Sequence, residues 1–209
     1  MKRCVLALDL AKVTGYACWR EGDPKPNAGI IDVSHLKKRG DRLASQFKWG
    51  VNKVKEWEVT DIVVEAPIIG GGNEDKIIWL VGCLAIFEML GSQYKIDVTK
   101  VRNDTFFIHW CGTNNIEGDQ RKVYSVLECQ RRGFPLITDH NTADAMGVLS
   151  FRCAQLNMTP PWDFRRSPGP LFTGSAMNHK QLKGTRITPD NKRAAAIIVN
   201  RQLHGDGAK

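Results

Sequence analysis

The sequence predicts an α/β fold, and three acid-bearing segments carry that expectation. Val5-Leu6-Ala7-Leu8 closes on Asp9 and Ile62-Val63-Val64 closes on Glu65, so each reads as a buried strand ending in a carboxylate. Asn141-Thr142-Ala143-Asp144-Ala145 opens an apolar pattern of helical period. Burying a carboxylate alone costs on the order of several kcal/mol, so acids that end hydrophobic strands call for a cation or metal as partner. If the three meet at one end of a sheet, they make a magnesium site.

The elements follow in order. Arg3–Asp9 and Gly15–Trp19 read as strands joined by a turn over Leu10–Thr14, and Gly29–Val33 as a third. The short connections favour an antiparallel start. A helix is expected from Ser34 or His35 to Trp57, with Leu36, Leu43, Phe47, Val51, Val54 and Trp57 on its apolar face. Asp61–Glu65 is a fourth strand whose unbroken aliphatic run suits burial on both faces. Pro67 to Gly72 is loop, and Asn73 is placed to cap a helix running to Leu90. That helix is apolar on nearly every side, so a sheet covers only part of it, and the rest is expected to be covered by a second copy of the chain, with the chain's own C-terminal segment as the competitor. Tyr94–Val98 is a fifth strand. Helices are expected over Thr99–Ile108, Asp119–Arg132 and Asn141–Gln155, with a domain boundary at residue 156.

Composition narrows the class. At 42% hydrophobic and 25% charged residues the chain reads as soluble and globular. The longest apolar run, Ile77 to Phe87, is too short to span a bilayer, so no membrane partner is expected. Met1-Lys2-Arg3 leads straight into a strand, without a secretory signal. The six cysteines are widely spaced and several fall inside apolar patterns, as reduced core thiols in a cytoplasmic protein would. The net charge of +8 is concentrated at one end: residues 1–151 hold 20 Lys/Arg against 19 Asp/Glu, and residues 152–209 hold 10 against 3. The region 157–209 therefore reads as a basic, partly irregular extension that contacts a polyanion, most often nucleic acid.

An acid cluster facing a polyanion fits phosphodiester hydrolysis. Two divalent ions roughly 4 Å apart activate a water and cover the charge that builds on phosphate, which requires several carboxylates on one patch. Magnesium takes oxygen ligands and keeps some of its waters, so Mg2+, with Mn2+ as substitute, suits Asp9, Glu65 and Asp144. A fourth ligand is open between Asp139, which has the charge, and Asn141, which lies three residues before Asp144 on the same helix face. His140 is placed to orient or deprotonate a water.

With these residues in view, the chain resembles the RuvC-type Holliday junction resolvases, a branch of the RNase H-like nucleases. The matching pieces are Leu8-Asp9-Leu10-Ala11, Thr14-Gly15-Tyr16-Ala17, Val64-Glu65-Ala66-Pro67 and Ala143-Asp144-Ala145, in order over residues 3–155. Compact resolvases of phages and prophages resemble it more than housekeeping enzymes do. The resemblance implies a mixed five-stranded sheet flanked by helices. It also implies a homodimer that resolves four-way DNA junctions by paired magnesium-dependent cuts, in recombination and repair. The metal ligands carry over as Asp9, Glu65 and Asp144. Where the resolvase pattern has a further aspartate, this chain has Asn141. Lys100, Arg102, Arg121 and Lys122 fall where such enzymes hold DNA backbone, and Ile68 or Ile69 where they wedge a side chain into the junction. Two other readings compete: an RNase H-like nuclease acting on other branched or hybrid nucleic acids, and a non-catalytic DNA-binding protein on the same fold.

Overall fold

Hydrogen bonding across the sheet sets the frame for everything else. The computed structural model describes residues 2–67, 74–113, 116 and 118–163. Its strands are β1 (Cys4–Asp9), β2 (Val13–Arg20), β3 (Asn27–Asp32), β4 (Asp61–Glu65) and β5 (Asp97–Val101). Its helices are α1 (Arg39–Glu56), α2 (Glu74–Tyr94), α3 (Asn103–Cys111), α4 (Asp119–Arg131) and α5 (His140–Gln155). The sheet order is β3-β2-β1-β4-β5, with β1, β2 and β3 antiparallel and β1, β4 and β5 parallel. This is the mixed five-stranded sheet flanked by helices that the resemblance implied.

Strand alternation sorts the apolar residues onto two faces. Val5, Ala7, Ala17, Trp19, Val63 and Val101 pack under α3, α4 and α5, against Phe106, Phe107, Trp110, Met146 and Leu149. Cys4, Leu6, Leu8, Cys18, Ile62 and Val64 pack under α1 and α2, against Val54, Trp79, Cys83, Phe87 and Leu90. Both faces of β1 and β4 are covered, which accounts for their unbroken aliphatic runs. All six cysteines are free and buried.

Several boundaries differ from expectation, four of them around the helices. Helix α1 starts at Arg39 instead of Ser34 or His35, because the preceding residues form a turn. There the Ser34 N–H donates to Asp32 Oδ1 at 2.8 Å and the Leu36 N–H to the Val33 carbonyl at 3.2 Å. Helix α2 runs four residues past Leu90. Gly91 does not terminate it; the missing side chain lets the helix cross close to β5, where a β-carbon would lie 2.3 Å from Val98 Cγ2. The chain then turns at Lys95 (φ 56°), so β5 begins at Asp97 and α3 at Asn103, four residues after Thr99.

The longer α2 corrects another expectation. Among the described residues it is the one helix long and apolar enough, by length and composition, to cross a bilayer. Here, however, Trp79, Cys83, Ile86, Phe87 and Leu90 line the core, while Ile78, Val81 and Met89 are exposed. Past α5 the chain stays packed through Asp163. Met158 and Trp162 are buried, and the fully buried Arg132 bonds Glu128 Oε1 at 2.6 Å, Asp163 Oδ1 at 2.7 Å and the Trp110 carbonyl at 3.1 Å. A buried guanidinium so fully matched ties the ends of α3 and α4 to the segment that follows α5. Ile68, Ile69, the expected cap Asn73 and the basic stretch 164–209 lie outside the described residues.

Candidate active site

Asp9 and Glu65 are neighbours by register. Leu8 pairs with Val64 in parallel, so the next residue on each strand stands at the carboxyl end of the sheet beside the other. Alternation with Val5, Ala7 and Val63 turns both carboxylates to the face that α3, α4 and α5 cover. Asp144 arrives from α5. Its approach depends on Gly15, which pairs with Asp9 across β1–β2 and leaves the backbone of Asn141 room to lie on the sheet. At the turn between β1 and β2, the buried Thr14 hydroxyl donates to the Ala11 carbonyl at 2.7 Å and accepts from Gln46 Nε2 of α1 at 2.9 Å. That bond fixes the far wall of the site.

The three acids open onto one cleft of about 790 Å³, lined also by Lys12, Lys76, Asn103, Lys122, His140 and Asn141. Their electrostatics are those of a crowded anionic cluster. Burial raises the Asp9 pKa well above the ordinary carboxylate range, and the charges of Glu65 and Asp144 raise it further. Burial also raises Glu65, opposed by the Asn103 amide, by a hydrogen bond from Asp9 and by the Arg121 charge. Asp144 is pushed up to about 7 by burial and by Glu65. The buried Ser125 hydroxyl lies close enough to hold Asp144 down but makes no hydrogen bond of good geometry.

The other expected residues separate into groups. Asp139 is the N-cap of α5: its Oδ1 accepts from the Thr142 N–H at 2.7 Å, and it stands next in the chain to the cleft-lining His140 and Asn141 without lining the cleft itself. Its charge still reaches Asp9. Lys122 lines the cleft while pairing with Asp119 at 3.0 Å. Arg121 stacks over the Phe107 ring at 4.5 Å and pairs with Asp104 at 3.0 Å. Lys100 pairs with Glu88 at 3.0 Å, and Arg102 is exposed ahead of α3; both stand outside the cleft lining.

Sequence reasoning missed Asn103, Lys12 and Lys76. Asn103 Nδ2 donates to Glu65 Oε1 at 2.8 Å, a contact made possible because α3 starts at residue 103 and not at 99. Lys12 and Lys76 come from the β1–β2 turn and the first turn of α2, where single lysines carry no periodic signal.

Whether a divalent cation suits this site turns on the donors. Among the described residues no ion pair neutralises Asp9, Glu65 or Asp144. Asn103 Oδ1 is buried without a hydrogen-bond partner. These are hard oxygen donors whose charge no direct ion pair neutralises, the set magnesium prefers. Among the described residues no three His, Cys, Asp or Glu side chains close into a ready-made coordination shell. Magnesium does not require one, since one or two carboxylates and several waters complete its octahedron. The donor set fits the ion.

The architecture has counterparts among solved structures. Thermus thermophilus RuvC in complex with Holliday junction substrate matches with a TM-score of 0.55 at 11% identity, covering 76% of this chain and 99% of that one. A second Thermus thermophilus RuvC structure matches with a TM-score of 0.53 at 13% identity over the same shares. This chain has the RuvC fold. No protein-family model matches the sequence, and no curated protein matches it. Nearly the whole of each RuvC chain is matched.

Proposed function

We propose that the protein is a divalent-metal-dependent endonuclease that resolves four-way DNA junctions, with Asp9, Glu65 and Asp144 as metal ligands. The observation that carries the reading is the pairing of Asp9 with Glu65 at the ends of adjacent parallel strands, facing Asp144 without a neutralising cation. The RuvC fold supports DNA as the substrate, because the matched RuvC structure is a complex with Holliday junction substrate.

The roles divide by chemistry. Magnesium, when bound, would activate a water and offset charge on the phosphate. Lys12, Lys76 and Lys122 rim the cleft on three elements and hold backbone phosphates beside the acids. Lys100, Arg102 and Arg121 extend that basic surface outward. His140 stands at the mouth, where it can accept a proton from an attacking water. Asn141 supplies an amide oxygen where the resolvase pattern has an acid, with Asp139 capping the same helix. Hydrolysis of this kind leaves a 5′-phosphate and a 3′-hydroxyl. The exposed residues Ile78, Val81 and Met89 of α2 would pair two copies, so that two sites act on one junction.

Asn141 also supports a second reading. With an amide at that position and Asp139 engaged in capping, the protein would bind DNA without cutting it. A synthetic four-way junction, incubated with and without Mg2+ beside a flap, a Y-form and an RNA–DNA hybrid, separates the readings. Paired symmetric nicks that need Mg2+ and vanish in Asp9→Asn while binding persists are the expected result. Binding with no cut under any metal would establish the second reading.

A further inference from the structure

We propose that Asn103 is a positioning residue of the cation site, acting through Glu65. The inference rests on the reading above, in which Glu65 binds a divalent cation, and concerns a residue with no part in the acid pattern. Two observations carry it. The Asn103 amide nitrogen donates to Glu65 Oε1 at 2.8 Å, and Asn103 Oδ1 is buried with no hydrogen-bond partner while the residue lines the cleft.

The donor side fixes Glu65. A carboxylate at a strand end, beside a second acid, has every electrostatic reason to swing away. A hydrogen bond to a charged acceptor is among the stronger protein hydrogen bonds, and here it holds one oxygen so that the remaining lone pairs face Asp9 and the cleft. The orientation of the amide follows from the same contact, because an oxygen turned toward Glu65 would repel it. Asn103 therefore presents its oxygen elsewhere by necessity.

The acceptor side gives that oxygen a purpose. A buried acceptor without a partner is costly, and native structures rarely leave one unless something else completes it. A hydrated divalent ion held by Glu65 would bring water donors to the cleft that Asn103 lines, so this contact too depends on the Glu65 carboxylate. Outer groups of this kind hold metal ligands in place, and losing one typically lowers metal affinity roughly 10–100-fold. The residue is also located by the fold: Val101 pairs with Glu65 across β4–β5, so the chain that leaves β5 enters α3 beside the carboxylate.

The test is Mn2+ binding to the DNA-free full-length protein by titration calorimetry, with four proteins: wild type, Asn103→Leu, Glu65→Gln and the double variant. Asn103→Leu keeps the volume and removes both polar atoms; Asn103→Ser serves if leucine disturbs folding. The expected result is affinity lowered at least about tenfold in N103L. In the Glu65→Gln background the second change should add nothing, because Asn103 acts through that carboxylate. If E65Q weakens binding and N103L leaves it unchanged, the Asn103 proposal falls while the cation reading stands. Additive losses in the double variant would overturn action through Glu65. If E65Q itself binds Mn2+ like wild type, the ligand assignment fails and the proposal fails with it.

Discussion

A β-carbon on Gly15 would lie 1.9 Å from the carbonyl oxygen of Asn141 and 2.8 Å from the Thr142 nitrogen. The atoms in the way are backbone, at the start of α5, and backbone cannot rotate aside as a side chain can. Gly15 is thus the reason the start of the acid-bearing helix can lie directly against the sheet. Gly15→Ala should push the first turn of α5 outward and carry Asp144 away from Asp9. Overpacking of this kind costs roughly 1–3 kcal/mol, so the thermal midpoint should fall and any metal-dependent cleavage should fall more steeply. A variant with wild-type melting and activity would show that α5 does not depend on this contact.

The acid cluster also makes a pH prediction. Asp144 titrates at about 7 in the folded protein against an ordinary value near 3.8, and Asp9 and Glu65 are shifted the same way. Between those limits the folded state keeps protons that the unfolded state has released. Stability of the metal-free protein should therefore be highest at the acid side of the window and be lost as pH rises from about 4 through 7. Asp144→Asn should remove part of that slope and stabilise the metal-free protein at pH 8. Adding Mg2+ should raise the melting temperature at pH 8 far more than at pH 5, where protons compete for the same oxygens. Melting curves over pH 5–8.5 with and without Mg2+ check both; a flat metal-free profile would contradict the buried acid cluster.

Those acids were the legible part of the site. A charged residue closing three or four aliphatic residues is improbable unless something binds it, so Asp9 and Glu65 announced themselves, and Asp144 followed from the helix pattern. The fold was legible for the same reason: two-sided burial of β1 and β4 is written in their composition. The second tier of the site was not. Helix α2 runs on through Gly91, a packing contact against β5, so β5 and α3 start three or four residues later than expected. That error hid Asn103, whose position beside Glu65 exists only in the correct register. Asp139 has the charge of a ligand, and in the fold one of its two carboxylate oxygens, Oδ1, also caps α5.

The exposed apolar residues of α2 predict an oligomer. Ile78, Val81 and Met89 recur along one side of the helix opposite its core face of Cys83, Phe87 and Leu90. Exposed leucine-sized residues are unremarkable singly, but aligned on one helix they form a patch that water solvates poorly. Val81→Glu with Met89→Glu should halve the molar mass measured by light scattering and leave the circular dichroism spectrum unchanged. Junction cleavage, if it needs two sites, should fall to single unpaired nicks. A wild-type protein that runs as a monomer at all concentrations would remove this role from α2.

The basic end of the chain yields the last prediction, and the packing around Asp163 sets where to cut. Arg132 bonds Asp163, Ser150 donates to the same carboxylate at 2.9 Å, and Trp162 packs edge-on to Trp19 at 5.5 Å. A truncation before residue 163 would strand a buried guanidinium and destabilise the core, confounding any binding result. Ending the chain after Asp163 avoids this and removes nine Lys/Arg against two Asp/Glu. If those cations sit on phosphates, the shortened protein should bind junction DNA more weakly at low salt and with a shallower dependence on salt, since fewer counterions are released. Its melting temperature should not change. The comparison is a plot of log affinity against log salt concentration for the two proteins. Parallel lines would mean that residues 164–209 make no phosphate contact, and the affinity would then have to come from Lys12, Lys76, Lys122 and the basic surface beside them.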